Sequence, residues 1–327
     1  MIDKILKKDI TLLNAPETYK PMKYPWAFEA WEKQQQMHWL PSEVPLAEDV
    51  ADWNKKLSKE EKNLLTHVFR FFTQQDVLVG GIYVDKYLKV FQPNDIRMML
   101  MAFANVETIH MAAYAYLLDT IGFPEVEFTA FLKYKEMKDK CDYLKPFNMD
   151  SPKDIAKSLA VFSGFLEGLQ LFASFAILMN FQRFNKMKGM CQIVAWSIRD
   201  ETLHVENMIK LFRTFVKENP EIWTDELKGE LYQIARDMVS HEDAFIDLAF
   251  EQGGIEGMTS DDIKQYIRYI ADRRLLQLGL KTNFKVKENP LPWLDAILNG
   301  VEFSNFFEQR STEYSKASTV GEWGDVF

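Results

Sequence analysis

Residues 194–211 read VAWSIRDETLHVENMIKL, and residues 104–117 read ANVETIHMAAYAYL. Apolar residues recur at helical spacing in both stretches, which indicates two helices that each bury one face. Each apolar stripe also carries a Glu-x-x-His pair, Glu201 with His204 and Glu107 with His110. The two side chains of such a pair lie about one helical turn apart, so both can reach a single metal ion. We therefore expect these helices to bring metal ligands into the interior.

Two further apolar stretches of helical period each carry a lone acid, Asp76 in one and Glu167 in the other. Burying an unpaired carboxylate is costly, and four carboxylates that face one another also repel. Two divalent ions would neutralise four such groups and leave two imidazoles as neutral donors. This is the ligand pattern of a ferritin-like di-metal site, in which two helices each supply one acid and two others each supply a Glu-x-x-His pair. The sequence thus predicts a di-metal centre between four helices, with aspartate in place of one glutamate.

The predicted ligands narrow the choice of metal. Oxygen and nitrogen donors without thiolate suit iron or manganese, although zinc accepts the same donors. Open coordination positions on iron or manganese suit dioxygen chemistry. The site is therefore expected to be a redox centre.

Helix caps and helical periodicity occur throughout the middle of the chain. Ser58 with Glu61 makes a capping box, and Ser151 precedes Pro152 as a cap before a proline at the first helical position. Between residues 58 and 280 the periodicity predicts about six long helices and no alternating strand pattern. The expected fold class is all-α, a ferritin-like helical bundle with a four-helix di-metal core and additional helices.

No linker rich in glycine and serine and no fixed repeat divides this region, so we expect one domain with an extension at each end. Residues 1–45 are predicted to form an N-terminal arm, with a short helix around residues 26–39. Residues 46–300 are predicted to form the ferritin-like helical di-metal domain. Residues 301–327 are small, polar and punctuated by glycine, and we expect a flexible tail there.

Composition argues against some classes of partner. The formal net charge of −9 and the pI near 5.3 disfavour nucleic acid or an anionic membrane as the main partner. Cys141 and Cys191 are the only cysteines, so neither a disulfide framework nor a zinc–thiolate site organises the fold. No basic segment followed by an apolar run opens the sequence, so we expect a cytoplasmic protein. Residues 158–181 are apolar, but Glu167 and two amide side chains interrupt them, which favours a buried helix over a membrane span.

Several motifs of the chain, in this order, resemble those of the class I ribonucleotide reductase small subunit. They are residues 39–44, residues 104–110 with Tyr114, residues 199–204, and residues 305–310 followed by Tyr314. The resemblance extends over most of the chain. It implies that two metal ions react with an oxygen-derived oxidant, and iron is the expected metal. It implies that their ligands are Asp76, Glu107, His110, Glu167, Glu201 and His204.

The resemblance also implies where the one-electron oxidant is stored. Tyr114 lies one turn beyond His110 on the same face and is the candidate for a stored tyrosyl radical. An ordinary packed core tyrosine is the alternative for Tyr114. In some family members the metals hold the oxidising equivalent instead, as a manganese pair or a mixed manganese–iron pair. Ser197 stands where the family more often has an apolar residue, so we expect a more polar pocket around Tyr114.

By the same resemblance, a relay for coupled electron and proton transfer leads away from the metals. Asp200 is expected to bond the second imidazole nitrogen of His110 and to link it to Trp39. Local pairing with His204 is the alternative for Asp200. A surface anchor is the alternative for Trp39.

Tyr314 resembles the residue that passes the radical to a large catalytic subunit. The tail, residues 301–327, would then dock on that subunit through Trp323 and Phe327 as apolar anchors. A tail that only frays is the competing interpretation.

The leading hypothesis is a radical-generating small subunit that supports the reduction of ribonucleotides to deoxyribonucleotides for DNA replication, with the nucleotide site on another chain. Its expected partners are a second copy in a homodimer and the large catalytic subunit, with a flavoprotein activase as a further candidate. One alternative is a ligand-binding di-metal oxidase or monooxygenase of the same fold, which needs a substrate cavity beside the metals. A ferritin-like storage or structural protein is another. The remaining histidines, His38, His67 and His241, are interpreted as solvated or capping residues.

Overall fold

A computed structural model of the chain describes residues 10–14, 18, 20 and 22–297, except for the side chains of residues 72–76, 128 and 131. Contacts divide the chain into two compact units, Met1–Pro290 and Leu291–Phe327. The described part of the second unit is short and includes a helix over residues 292–297. Residues 298–327, with Tyr314, Trp323 and Phe327, lie outside the described residues.

Helices make up most of the first unit. They are α1 (Pro25–Gln36), α2 (Ala47–Lys55), α3 (Lys59–Ile82), α4 (Asn94–Ile121), α5 (Lys135–Leu144), α6 (Pro152–Ser158), α7 (Leu171–Arg183), α8 (Lys188–Glu218), α9 (Asp225–Ala249) and α10 (Ser260–Gln277). Two π-helical segments, Tyr83–Tyr87 and Leu159–Gln170, follow α3 and α6. Shorter helical pieces are Pro41–Glu43, Leu88–Val90, Val126–Ala130, Phe131–Lys133 and Pro220–Ile222. The described residues contain no β-strand, only an isolated bridge between Ile255 and Met258.

The predicted six long helices are confirmed. Five of them are α3, α4, α8, α9 and α10, and the sixth joins α6, the second π-helical segment and α7 into one helix, Pro152–Arg183. Both predicted start signals are also confirmed. The Ser58 hydroxyl accepts a hydrogen bond from the Glu61 backbone N–H, and the Glu61 carboxylate accepts one in return. The Ser151 hydroxyl caps the helix that begins at Pro152.

The helix Pro152–Arg183 is long and apolar enough to cross a membrane. Its most apolar window of 18 residues is nevertheless completely buried within the protein. A membrane-spanning helix would present apolar side chains to lipid, whereas this helix presents them to other helices. The prediction of a buried core helix is therefore confirmed.

Helix α8 is set in place at its first turn by α2. The Asp49 carboxylate accepts hydrogen bonds of 2.8 Å from the backbone N–H groups of Gly189 and Met190, which would otherwise lack partners. Position 189 must be glycine, because a Cβ there would come within 2.6 to 2.8 Å of Leu46, Pro45 and Asp49. This close approach fixes the helix that carries Asp200, Glu201 and His204.

Four helical segments pack around the interior that the sequence analysis assigned to the metals. Helix α4 contacts both α3 and α8, and the π-helical segment Leu159–Gln170 packs along α8. Helix α1 packs across α4 and α8, and buries Ala27, Ala30 and Gln34. Residues 25–36 of the predicted arm thus pack onto two of the helices that carry predicted ligands.

Candidate metal centre

Three of the four helical segments bring carboxylates to one buried point. Ligand atoms of Glu107 on α4, Glu167 on the second π-helical segment, and Glu201 and His204 on α8 all lie within 4.8 Å of one another. His110 joins them, because its Nδ1 atom lies 3.3 Å from Glu201 Oε1 and 3.6 Å from Glu107 Oε2. Five of the six predicted ligands therefore converge.

Asp76, the sixth predicted ligand, lies in α3, which packs against α4. The side chain of Asp76 is outside the described residues. Its role as a ligand stays a prediction.

Glu107 and Glu201 each approach both imidazoles. His204 Nδ1 lies 3.2 Å from Glu107 Oε1 and 3.6 Å from Glu201 Oε2, which mirrors the contacts of His110. Both imidazoles thus turn Nδ1 towards the carboxylates. Metal ions bound in this space would be held by these two glutamates and the two imidazoles.

The Nε2 atoms of the two imidazoles form hydrogen bonds on the side away from Glu107 and Glu201. His110 Nε2 lies 3.3 Å from Asp200 Oδ2, and His204 Nε2 lies 3.2 Å from Gln34 Oε1. Both partners are oxygen acceptors, so each Nε2 carries the proton in a neutral imidazole and each Nδ1 keeps its lone pair. That tautomer is the one that presents Nδ1 to a metal, and outer acceptors of this kind are usual behind ligating histidines.

Sequence reasoning missed Gln34. Its side-chain N–H group donates a 3.3 Å hydrogen bond to Asp200 Oδ1, so the amide links the partners of both histidines. A signal was present: Ala27, Ala30 and Gln34 are spaced at three and four residues and share the buried face of α1. A polar residue that continues such a stripe is worth treating as a candidate contact to the site.

Five of the six oxygens of Glu107, Glu167 and Glu201 have no hydrogen-bond donor among the described residues. Both oxygens of Glu107, both oxygens of Glu201 and Oε2 of Glu167 are inaccessible to solvent and without a hydrogen-bond partner among the described residues. His204 Nδ1 is in the same condition, because its short contacts do not have hydrogen-bond geometry. Orphaned buried acceptors of this kind carry an uncompensated desolvation cost unless a cation binds them. The donor set therefore fits two divalent ions.

The pKa values of His204, Glu201 and Glu167 are shifted because these ionisable groups are buried close together. Burial would lower the pKa of His204, but contacts with Glu107 and Glu201 outweigh burial and raise it to about 10. Burial would raise the pKa of Glu201, but the two imidazoles lower it to about 2. Burial and the charge of Glu201 raise the pKa of Glu167 well above its usual value. Without a bound cation, protons on the imidazoles take over the compensating role.

Tyr114 and Trp39, the two predicted redox-active aromatic residues of this region, are both buried. The Tyr114 hydroxyl donates a 3.2 Å hydrogen bond to Ser197 Oγ, which makes the pocket around the phenol polar, as the sequence analysis expects. Trp39 is 3% exposed, so a surface anchor does not describe it. Its Nε1 donates a 2.8 Å hydrogen bond to Asp200 Oδ2.

A second buried tyrosine, which the sequence analysis also missed, contacts a predicted ligand directly. The Tyr83 hydroxyl donates a 2.8 Å hydrogen bond to Glu167 Oε1. Burial, and then the charge of Glu167, raise the pKa of this phenol well above its usual value, so it stays protonated. Beside Glu167 lies a narrow gap with no room for a water molecule, lined by Val79, Ile82, Tyr83, Tyr87, Phe162 and Ser163. Sites for small organic ligands are about 300 Å³ and above, so this gap could not hold the substrate that the oxidase alternative needs.

One of the three remaining histidines was interpreted wrongly. His67 is 1% exposed, its Nε2 lies 3.1 Å from Glu251 Oε1, and its ring packs edge-on against Tyr134. The interpretation relied on residues near His67 in sequence, whereas Glu251 lies 184 positions away. His38 is exposed, as expected, and His241 is half-buried.

Comparisons with known proteins agree with this geometry. Residues 16–290 match the family described as ribonucleotide reductase, small chain. The probable ribonucleoside-diphosphate reductase small subunit 376L of Invertebrate iridescent virus 6 is 42% identical to the chain over 356 residues, which cover 97% of this chain and 99% of that protein.

Solved structures share the fold. The ribonucleotide reductase R2 subunit from Clostridium botulinum superposes with a TM-score of 0.81 at 21% identity, over 88% of this chain and 94% of that one. The dimanganese(II)-NrdF of Streptococcus sanguinis superposes with a TM-score of 0.73 at 22% identity, over 82% of this chain and 93% of that one. The predicted all-α ferritin-like fold is thereby confirmed.

Proposed function

The chain belongs to the ribonucleotide reductase small-chain family, as the small subunit of a class I ribonucleoside-diphosphate reductase, and from that premise we propose how its residues make and pass on a radical. As a small subunit it works with a large catalytic subunit. The proposal concerns the metal ligands, the place where the oxidising equivalent is stored, and the route by which it leaves.

The observation that carries the proposal is the set of buried carboxylate oxygens without hydrogen-bond donors, faced by two imidazole Nδ1 atoms. We assign two metal ions to this space, with ligands Asp76, Glu107, His110, Glu167, Glu201 and His204. Iron is the first choice, and a manganese pair or a mixed manganese–iron pair is the alternative. The similar protein of Streptococcus sanguinis is described as a dimanganese(II) protein, which keeps manganese open. Once bound and activated by an oxygen-derived oxidant, the metals supply one-electron oxidising power.

Tyr114 is the proposed store of the oxidising equivalent, with the metals themselves as the alternative. Its phenol is 1% exposed, so solvent reductants have little access to it. Ser197 accepts its hydrogen bond at 3.2 Å and holds the phenol in one orientation. Ser197 lies on helix α8 together with Asp200, Glu201 and His204. Its hydrogen bond therefore fixes the position of the Tyr114 phenol relative to these residues.

Trp39, Asp200 and His110 form the proposed exit route. Asp200 Oδ2 accepts the hydrogen bond of the indole N–H and lies beside His110 Nε2. When an electron leaves Trp39, its indole proton has an acceptor 2.8 Å away, which couples the two transfers. Tyr314 would then hand the oxidising equivalent to the large subunit.

Residues 301–327 would dock on the large subunit through Trp323 and Phe327, beyond the helical di-metal domain of residues 46–300. The arm, residues 1–45, supplies Gln34 and Trp39 to the site. We further propose a homodimer in the cytoplasm and keep a flavoprotein activase as a candidate partner.

The test combines elemental analysis, electron paramagnetic resonance and turnover with the large subunit. We expect two metal ions per chain, a tyrosyl signal after activation, and deoxyribonucleotide formation only in the mixture of both subunits. Tyr114→Phe should abolish the tyrosyl signal while leaving the metal content unchanged. Well under one ion per chain would contradict the assigned site. Normal turnover by Tyr314→Phe would contradict the exit route.

A further inference from the structure

Two π-helical segments face one another beside the metal site. Tyr83–Tyr87 extends α3, and Leu159–Gln170 carries Glu167. Two side-chain hydrogen bonds join them in antiparallel register: Tyr83 with Glu167 at 2.8 Å, and Tyr87 with Ser163 at 3.0 Å. π-Helical turns are rare and frequently occur at functional sites. Tyr83 and Tyr87, four positions apart in the first segment, are both buried.

Tyr83 forms a hydrogen bond with only one of the two carboxylate oxygens of Glu167. Its hydroxyl occupies Oε1, whereas Oε2 is buried and has no hydrogen-bond partner among the described residues. The phenol is 1% exposed, and its ring packs edge-on against the rings of Phe103 and His204. Packing on both neighbours leaves the hydroxyl little freedom to turn away.

We propose that Tyr83 is a positioning residue for Glu167, which it holds so that one carboxylate oxygen is kept for the metals. The inference rests on the proposed function, because Glu167 acts as a ligand there. A carboxylate can bind a metal through one or both oxygens, and a hydrogen bond to one oxygen favours binding through the other. Tyr83 would thus set how Glu167 binds before any oxidant arrives.

The test compares two variants that each remove one buried hydroxyl from the same π-helical segment. Tyr83→Phe removes the hydrogen bond to Glu167, and Tyr87→Phe removes the one to Ser163. The full-length protein is titrated with Mn²⁺ in the absence of oxidant, and free and bound Mn²⁺ are followed by electron paramagnetic resonance. For Tyr83→Phe we expect affinity for one of the two ions to fall about 10-fold to 100-fold, with a changed spectrum of the bound ions. Tyr87→Phe should keep the parental affinity and spectrum.

A double-mutant cycle asks whether Tyr83 acts through Glu167. Glu167→Asp shortens the ligand and draws its carboxylate away from the phenol. In that background Tyr83→Phe should cause no further change in Mn²⁺ affinity. An equal loss in both backgrounds would overturn the inference.

Other results separate this inference from the proposed function. If the parental protein binds two ions and Tyr83→Phe matches it in affinity and spectrum, the positioning role is wrong and the metal site stands. Equal effects of both variants would mean that the two bonds serve packing alone, which also overturns the inference. A Tyr83→Phe protein that does not fold, while Tyr87→Phe folds, would also overturn the inference. A parental protein that binds no Mn²⁺ or iron would overturn the proposed metal site itself.

Discussion

Trp39 Nε1 donates a 2.8 Å hydrogen bond to Asp200 Oδ2 across 161 positions of sequence, and both side chains are buried. The same oxygen lies 3.3 Å from His110 Nε2. Burial would raise the pKa of Asp200, but its contact with His110, the charge of Arg199 and the bond from Trp39 outweigh burial and lower it. Asp200 is therefore an ionised bridge between the indole and a predicted metal ligand at neutral pH.

Asp200→Asn tests that bridge. Asparagine keeps the size of the side chain but removes the charge that draws a proton from either neighbour. We expect turnover with the large subunit to fall about 100-fold, the upper end of the effects seen for residues behind metal ligands, with bound metal retained. Turnover assays and elemental analysis on the same preparations measure both. The matched control is Glu206→Gln, an exposed acid on the same helix, which should leave both quantities unchanged.

Gln34→Leu tests the amide that links His204 to Asp200. Leucine preserves the volume but removes the acceptor at His204 Nε2 and the donor to Asp200 Oδ1. Without that acceptor, His204 loses the contact that fixes its tautomer, and we expect Mn²⁺ affinity to fall about 10-fold. Competition with a chelator measures the change. Gln35→Leu alters the neighbouring, exposed side chain of α1 and serves as the control. Equal affinities in the two variants would contradict a role for Gln34.

Local sequence patterns predict most of the fold and part of the site. Helical periodicity and the Glu-x-x-His spacing depend on neighbours within one or two turns, so Glu107 and Glu201 can be found without any tertiary information. The Ser58 and Ser151 caps are predictable for the same reason.

Contacts between distant parts of the chain cannot be read in this way. Tyr83 lies 84 positions from Glu167, Gln34 lies 170 from His204, and His67 lies 184 from Glu251. Nothing near Tyr83 in sequence indicates that the chain leaves α-helical geometry there, because a π-helical turn is stabilised by packing against other elements. Such residues become visible only when the helices are placed together.

Metals and protons compete for His204, which makes metal binding depend on pH. The pKa of about 10 in the metal-free protein means that the imidazole is protonated at neutral pH, whereas a metal needs the neutral form. Binding should therefore release a proton, and affinity should rise with pH by about tenfold per unit for each proton released. Titration with Mn²⁺ between about pH 6 and 8 would measure this, with proton release followed by calorimetry in buffers of different ionisation enthalpy. An affinity that stays flat over this range would show that His204 is already neutral without metal.

Lys140 and Glu242 form a buried ion pair that includes no predicted metal ligand, and it should matter for stability alone. Their side chains are almost completely buried, with Nζ 2.5 Å from Oε2, and the ammonium lies 4.3 Å and 4.6 Å from the ring centroids of Phe71 and Phe245. Burial, the largest effect, lowers the pKa of Lys140 and raises that of Glu242. Removing only one partner leaves a buried charge without compensation.

Lys140→Met is accordingly expected to cost about 3–5 kcal/mol of unfolding free energy, measured by urea denaturation of the metal-free protein. The double variant Lys140→Met with Glu242→Leu should recover most of this loss, because no charge is then left in the interior. Lys153→Met is the control, since Lys153 makes ion pairs with the more exposed Glu226 and Glu230 and should cost less than about 1 kcal/mol. The cost of Lys140→Met should also shrink as pH falls, because protonation neutralises the stranded Glu242. A loss that is equal in the single and double variants would mean that packing around Lys140, and not its charge, holds this region together.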